Sequence, residues 1–302
     1  MVNQTTETSN SALAIAQSTP GGELVTAGAR ALSHRNPRRQ YFHQITVKNI
    51  SHTNQCYTLF GVKPRISNAP QKDLFSTAFS TNALIQQDNT YQFRFSGSYY
   101  AICGTLGTRR RSDSPVNVKD YIPVELTDLT AGVNGQVVKL VVDDGLPKLV
   151  LADAGFAVPR EGFSVITGTD FTFPSNERIF VGIGAQVRPS ASETLSNEEI
   201  SPIAIFLPEP NHYFNIIPSN KWYVSGLNLL PTTGAILDDS LFTYGEFSTE
   251  VSCVAKQTDV WLHHLPNGKL VHLDTSDPVG PNDLPIPRGV KRLRQPNAAD
   301  VF

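Results

Sequence analysis

Along Thr90-Tyr91-Gln92-Phe93-Arg94-Phe95 aromatic and polar side chains alternate one for one, and this period of two recurs through most of the chain. Successive side chains of a β-strand point to opposite faces, so such a segment suits a half-buried strand and cannot present one apolar stripe as a helix. Ile45 and Val47 alternate in the same way with Gln44, Thr46 and Lys48. Cys56–Phe60, Tyr99–Cys103, Val137–Val142, Lys148–Leu151, Phe163–Thr167 and Arg178–Gln186 read as further strands, rich in aromatic and β-branched residues. Ile203–Phe206, Tyr213–Ile217, Lys221–Val224, Val251–Lys256, Val260–His264 and Lys269–Leu273 continue the series. No 3.6-residue periodicity lasts beyond two or three turns. The expected fold is all-β, an antiparallel β-sandwich or barrel-like structure, or two packed β subdomains.

Turn chemistry supports this. The 21 glycines and 21 prolines of the 302 residues suit short strands joined by turns. Asp143-Asp144-Gly145 and Asn267-Gly268 are hairpin signals. If Asn267-Gly268 is a two-residue turn, His272 lies opposite His263, close enough to share a ligand. Residues 1–40 read as a polar N-terminal arm, 41–189 and 202–275 as two β subdomains, and 276–302 as an extended Pro-rich tail. The acidic stretch Ser190–Ser201 is the expected boundary between the subdomains.

Charge excludes several functions. A net charge of −2 gives no footprint for nucleic acid, and no apolar run reaches the roughly 18 residues of a transmembrane segment. No signal peptide is visible, which fits a cytosolic chain or a secreted one that begins after its cleavage site. The sequons at Asn3 and Asn49 are no more than chance yields, since roughly three are expected from this composition. Cys56 and Cys103 both lie in strand-like contexts. A disulfide between them would contribute roughly 4 kcal/mol in the chain-entropy model, and the alternative is three buried free thiols, Cys253 included.

No Gly-x-Ser-x-Gly elbow is present, and Gly182-Ile183-Gly184 opens no helix, so close backbone packing is its expected role. Arg109-Arg110-Arg111 reads as a solvated basic turn, and Asp143-Asp144 and Asp238-Asp239 as turn residues. No third ligand accompanies the His263–His272 pair, so no metal is expected. His212, His263 and His264 are the candidate proton-transfer groups, and Tyr213 and Tyr223 the candidate hydrogen-bond donors. Trp222 and Trp261, with Tyr213, are the candidate walls of an apolar pocket, set against ordinary core packing.

Cys56-Tyr57-Thr58-Leu59-Phe60, Tyr99-Tyr100-Ala101-Ile102-Cys103-Gly104-Thr105, Phe206-Leu207-Pro208-Glu209-Pro210 and Lys221-Trp222-Tyr223-Val224 together carry a likeness over residues 41–265. Across them the chain resembles a group of fungal proteins that includes the hetero-Diels–Alderases of tropolone–sesquiterpenoid biosynthesis. The resemblance implies a secretory-route, glycosylation-competent pericyclase without cofactors. Such an enzyme joins two apolar small molecules, a tropolone-derived quinone methide and a sesquiterpene alkene. A [4+2] cycloaddition needs no nucleophile or metal, only positioning worth up to about 7–11 kcal/mol, and proton transfer to form the quinone methide. His212, His263, His264 and Tyr223 would then be catalytic, with Tyr213, Trp222 and Trp261 binding substrate. The alternatives are a secreted lectin-like or hydrophobe-binding β-sandwich protein and a self-assembling coat subunit with an extended arm and tail.

Overall fold

The structure is a computed structural model. It describes residues 41–69, 73–82, 84–106, 115–152, 157–170, 178–188, 199–227, 231–237, 248–253 and 258–273. The arm, the tail, Arg109-Arg110-Arg111, residues 190–198 of the acidic stretch, and Asp238-Asp239 lie outside them.

The fold is all-β, as the alternation predicts. Among the described residues seventeen strands form three sheets. Those of the first sheet are β1 (Phe42–Asn49), β4 (Leu74–Ser76), β6 (Thr90–Leu106), β7 (Asn117–Val124), β11 (Arg178–Arg188), β12 (Glu199–Phe206), β16 (Thr258–His264) and β17 (Leu270–Leu273). They run in the order β17-β16-β1-β6-β11-β12-β4, with β7 also paired to β6. A five-stranded sheet has the order β3 (Arg65–Ile66), β13 (Tyr213–Ile217), β10 (Phe163–Thr167), β8 (Val137–Asp143), β9 (Leu146–Leu151). A four-stranded sheet has the order β15 (Ser248–Ser252), β14 (Lys221–Leu227), β2 (Cys56–Gly61), β5 (Ser80–Thr81). Among the described residues no helix is long and apolar enough to cross a membrane.

β6 organises the large sheet. Of its 17 residues, the stretch Arg94–Leu106 pairs with β11 along one edge, while the other edge is shared, β1 taking Thr90–Ser96 and β7 taking Tyr99–Thr105. At the join the register against β11 jumps from Tyr99↔Ala185 to Phe95↔Val187, a bulge that bends the strand. Gly182 and Gly184 pack as expected: a Cβ on Gly182 would lie 2.3 Å from the Ala204 carbonyl oxygen.

All three sheets bury their inner faces in one core. Ile45, Val47, Phe93, Phe95 and Leu262 of the large sheet meet Tyr57, Leu59, Trp222 and Val224 of the four-stranded sheet, and Val138, Leu140, Phe163, Val165, Phe214 and Ile216 of the five-stranded one. At its centre Trp222 lies 4.4 Å from Phe95 and 4.8 Å from Phe79, centroid to centroid.

The two expected subdomains are not separate bodies. β16 pairs with β1, β14 with β2, and β13 with both β3 and β10, so 41–189 and 202–275 contribute to each sheet. Among the described strands two ladders are parallel, β1–β16 and β8–β10, and the others are antiparallel.

The hairpins divide. Asp144 (φ 50°) and Gly145 (φ 76°) make the two-residue turn expected between β8 and β9. The second hairpin differs by one residue. Leu265 N donates to Lys269 O, Gly268 N donates to Leu265 O, and only Gly268 (φ 80°) is left-handed. This is a three-residue loop, a type I turn with proline at its preferred second position and glycine at the bulge. The shift sets His263 against Val271 and His272 against Leu262. The expected His263–His272 pair therefore does not form.

Candidate functional site

The outward face of β6, β1, β16 and β17 carries an ordered array of side chains. The register aligns Arg94, Gln44 and Asp259 in one row, Gln92, Thr46, Trp261 and Leu273 in the next, and Thr90, Lys48, His263 and Val271 in a third. Directly paired residues share a face, and alternate residues along each strand return to it. The inward residues of the same strands, Ile45, Val47, Phe93 and Leu262, fill the core. With strands about 4.8 Å apart and same-face residues roughly 6.6 Å apart, the array measures about 14 by 13 Å.

Trp261 sits inside this array, half-buried beside Thr46. Thr46 is fully buried and its hydroxyl has no hydrogen-bond partner among the described residues. Gln44 donates to Asp259 Oδ1 at 3.4 Å. At one margin the Arg188 guanidinium lies 3.7 Å from the Phe42 ring centroid, and Arg188 is the register partner of Arg94. Such a cation–aromatic contact orients the side chain without neutralising it. Burial lowers the pKa of His263 and the charge on neighbouring Lys48 lowers it further, so its imidazole is neutral at pH 7. The face thus offers one indole, two amides, one imidazole, three cations (Lys48, Arg94, Arg188) and one carboxylate.

The remaining expected site residues lie elsewhere. His264 is one residue from His263 and points the opposite way, into the core, where its Nδ1 lies 3.0 Å from the Tyr57 hydroxyl. Gly226 is the register partner of Tyr57, and a Cβ there would sit 3.1 Å from the imidazole, so glycine provides the slot. Burial lowers the pKa of His264, against a backbone hydrogen bond to Gly268 that raises it. Trp222 is core, 3% exposed.

Tyr223 lies on the far side of the four-stranded sheet from Trp222 and Val224. Its ring stacks on Phe60 and its hydroxyl donates to Glu250 at 3.1 Å, while Lys221 holds the other carboxylate oxygen at 2.8 Å. The hydrogen bond from Lys221 keeps Glu250 below the usual carboxylate range. His212 occupies the turn before β13, its Nδ1 2.8 Å from Pro210 O and its Nε2 3.2 Å from Glu209. Tyr213 donates to Ala157 O.

Two further expectations are corrected. Cys56 and Cys103 form no disulfide: Cys56 opens β2 opposite Leu227, whereas Cys103 lies in β6 between Asp120 and Val181, in a different sheet. Burial pushes the Cys253 thiol up to about 12, which keeps it protonated. Asn49 is fully buried, and the nitrogen that would carry a glycan donates to Thr53 O at 2.8 Å and Ile85 O at 3.0 Å. A glycan at Asn49 is incompatible with this fold.

Of the expected site residues the structure therefore unites Trp261 and His263. Gln44, Lys48, Gln92, Arg94 and Asp259 were not singled out, although their alternation marks them as one polar side of a strand. Among the described residues no group of three or more His, Cys, Asp or Glu side chains could hold a metal ion. The chain matches no known family model, curated protein or solved structure.

Proposed function

We propose that the protein is a glycan-binding β-sandwich module whose ligand lies across the face centred on Trp261. The observation that carries this reading is the register itself, which surrounds one half-buried indole with amide, imidazole and guanidinium groups on a rigid sheet. An indole packs against the C–H face of a sugar ring, and fixed amides hydrogen-bond its hydroxyls, the combination a polar ligand with apolar faces requires. The array has room for about two or three pyranose rings. Such a module works where glycans are displayed, outside the cell or in the secretory lumen.

The cycloaddition implied by the resemblance is less well supported. It calls for the histidines and tryptophans to face one chamber. Here Trp222 and His264 point into the core, His212 lies on a turn, and Trp261 and His263 face outward.

The test is a glycan array of neutral and acidic oligosaccharides, followed by calorimetry on the best ligand with the wild type, Trp261→Ala and Gln92→Ala. Losing an aromatic platform and its buried area costs about 1.5–3 kcal/mol, so Trp261→Ala should weaken binding at least tenfold. Circular dichroism checks that each variant is folded. An array without hits, or unchanged affinity in folded Trp261→Ala, defeats the reading.

A further inference from the structure

We infer that the ligand of this face is an acidic glycan, an oligosaccharide of uronic acids whose carboxylates meet Lys48, Arg94 and Arg188. The inference rests on the glycan-binding reading and adds the charge class of the sugar. The chain as a whole carries a net charge of −2, yet this array holds three cations against the single carboxylate of Asp259. Among the described residues none of the three cations enters an ion pair. Elsewhere Lys221 binds Glu250, Lys148 binds Asp143 and Arg160 approaches Glu161, while Arg65, Lys119, Lys139 and Lys269 enter no ion pair among the described residues. The array is therefore set apart by the clustering of its cations on one face.

The placement of the cations suits a linear anionic chain. Lys48 stands in the row with His263, Arg94 two residues away along the neighbouring strand from the row of Trp261, and Arg188 beyond Arg94 on β11. A sugar seated on Trp261 is thus flanked by a cation on either side. A planar guanidinium takes a carboxylate in two parallel hydrogen bonds, which favours a uronate over a neutral sugar. His263 supplies an internal reporter. Its pKa is held down partly by Lys48, so a carboxylate docked between them must raise it. A nucleic acid fits less well, because base stacking along a strand uses a series of aromatic platforms and this array carries one tryptophan.

The test is calorimetry with a hexameric oligogalacturonide, a neutral galactan hexamer and a sulfated galactan hexamer, at low and at physiological salt. The uronide should bind at least tenfold more tightly than the neutral sugar at low salt, and the gap should shrink as salt screens the charges. Lys48→Gln and Arg94→Gln should each lower uronide affinity several-fold and neutral affinity by less. Exposed Arg188→Gln repeats the test at a position where folding is not at stake. NMR titration should show the His263 pKa rising when the uronide is bound. Equal affinity for uronide and neutral sugar overturns the inference and leaves the glycan-binding reading standing. So does tenfold preference for the sulfated sugar, or displacement of the uronide by equimolar single-stranded DNA. Absence of binding to any oligosaccharide overturns both.

Discussion

Asn49 ends β1 with four side-chain hydrogen bonds and no exposure, so replacing it tests whether buried polar pairing holds this fold together. Its Nδ2 donates to Thr53 O and Ile85 O, and its Oδ1 accepts from Ser51 N at 3.1 Å and from Ser51 Oγ at 2.7 Å. Its backbone also accepts from Asp88 N and donates to Asn89 O. The side chain therefore ties the end of β1 to the 50–53 turn and to the segment before β6. Asn49→Ala removes four bonds at a net value of roughly 0.5–1.5 kcal/mol each, in a place closed to water, so the expected loss is about 3–5 kcal/mol.

Asn49→Asp separates donor from acceptor roles. It keeps the acceptor for Ser51 but turns a carboxylate oxygen toward two carbonyl oxygens, so it should cost at least as much as alanine at neutral pH and recover in part when acid protonates the carboxylate. Urea denaturation followed by tryptophan fluorescence measures both variants. The same site gives a covalent check. Protein folded in a eukaryotic secretory host should show no glycan at Asn49 by peptide mass mapping. A loss below 1 kcal/mol in Asn49→Ala, or a folded species glycosylated at Asn49, would refute the buried-pairing argument.

Acid should weaken the fold. His43 and His264 are 8% and 4% exposed, and burial holds both below their unfolded value of 6.5. Above that value both are neutral in either state and their contribution is complete. As pH falls below 6.5 the unfolded chain takes up protons first, so stability drops by up to about 1.4 kcal/mol per pH unit for each histidine until the native values are reached. Urea midpoints at pH 7.5 and 5.0 should differ accordingly, and equal stabilities would contradict the assignment. The edge of β9 gives a prediction of another kind. Pro147 offers no N–H there and the Leu149 N–H is taken by Asp120 at 2.8 Å, although Leu146, Val150 and Leu151 are exposed. Asp120→Ala should uncover a strand edge beside apolar side chains and promote self-association, visible by light scattering at high concentration. A variant that stays as monodisperse as the wild type would show that the edge is protected otherwise.

The strands were legible because a period of two is a local property. Gln44-Ile45-Thr46-Val47-Lys48 and Thr90–Phe95 declare their inner and outer faces before any partner is known. Strand order was not legible, because it depends on contacts far apart in the chain. The parallel pairing of β1 with β16 joins Gln44 to Asp259, and no turn signal announces it. For the same reason the expected subdomain division failed: β12, β13, β14 and β16 each pair with a strand from before residue 189. The hairpin at Asn267-Gly268 shows how small a term can decide register. A two-residue turn was expected, but proline at 266 suits a type I turn, and that single added residue moved His272 away from His263.

The site was harder to read for a physical reason that His263 and His264 illustrate. Adjacent residues on a strand point in opposite directions, so chemical type alone cannot say which of two neighbouring histidines meets solvent. His264 has the features often ascribed to a catalytic residue, a perturbed pKa and a tyrosine hydroxyl at 3.0 Å. Both follow from burial. A polar ring forced into a core must find a partner, and the partner must be buried with it. Gly226 opposite Tyr57 makes room for that exchange, which marks the pair as a pin between two sheets. His263 shows the reverse. Among the described residues it has no hydrogen-bonded partner, its register neighbours are Lys48 and Val271, and its neutral state depends in part on a nearby cation. A titrating group whose charge is held off by an uncompensated lysine is the one an incoming anion would change most. On that ground the outward histidine, beside Trp261, carries the functional argument, and the better-partnered one beside it carries the fold.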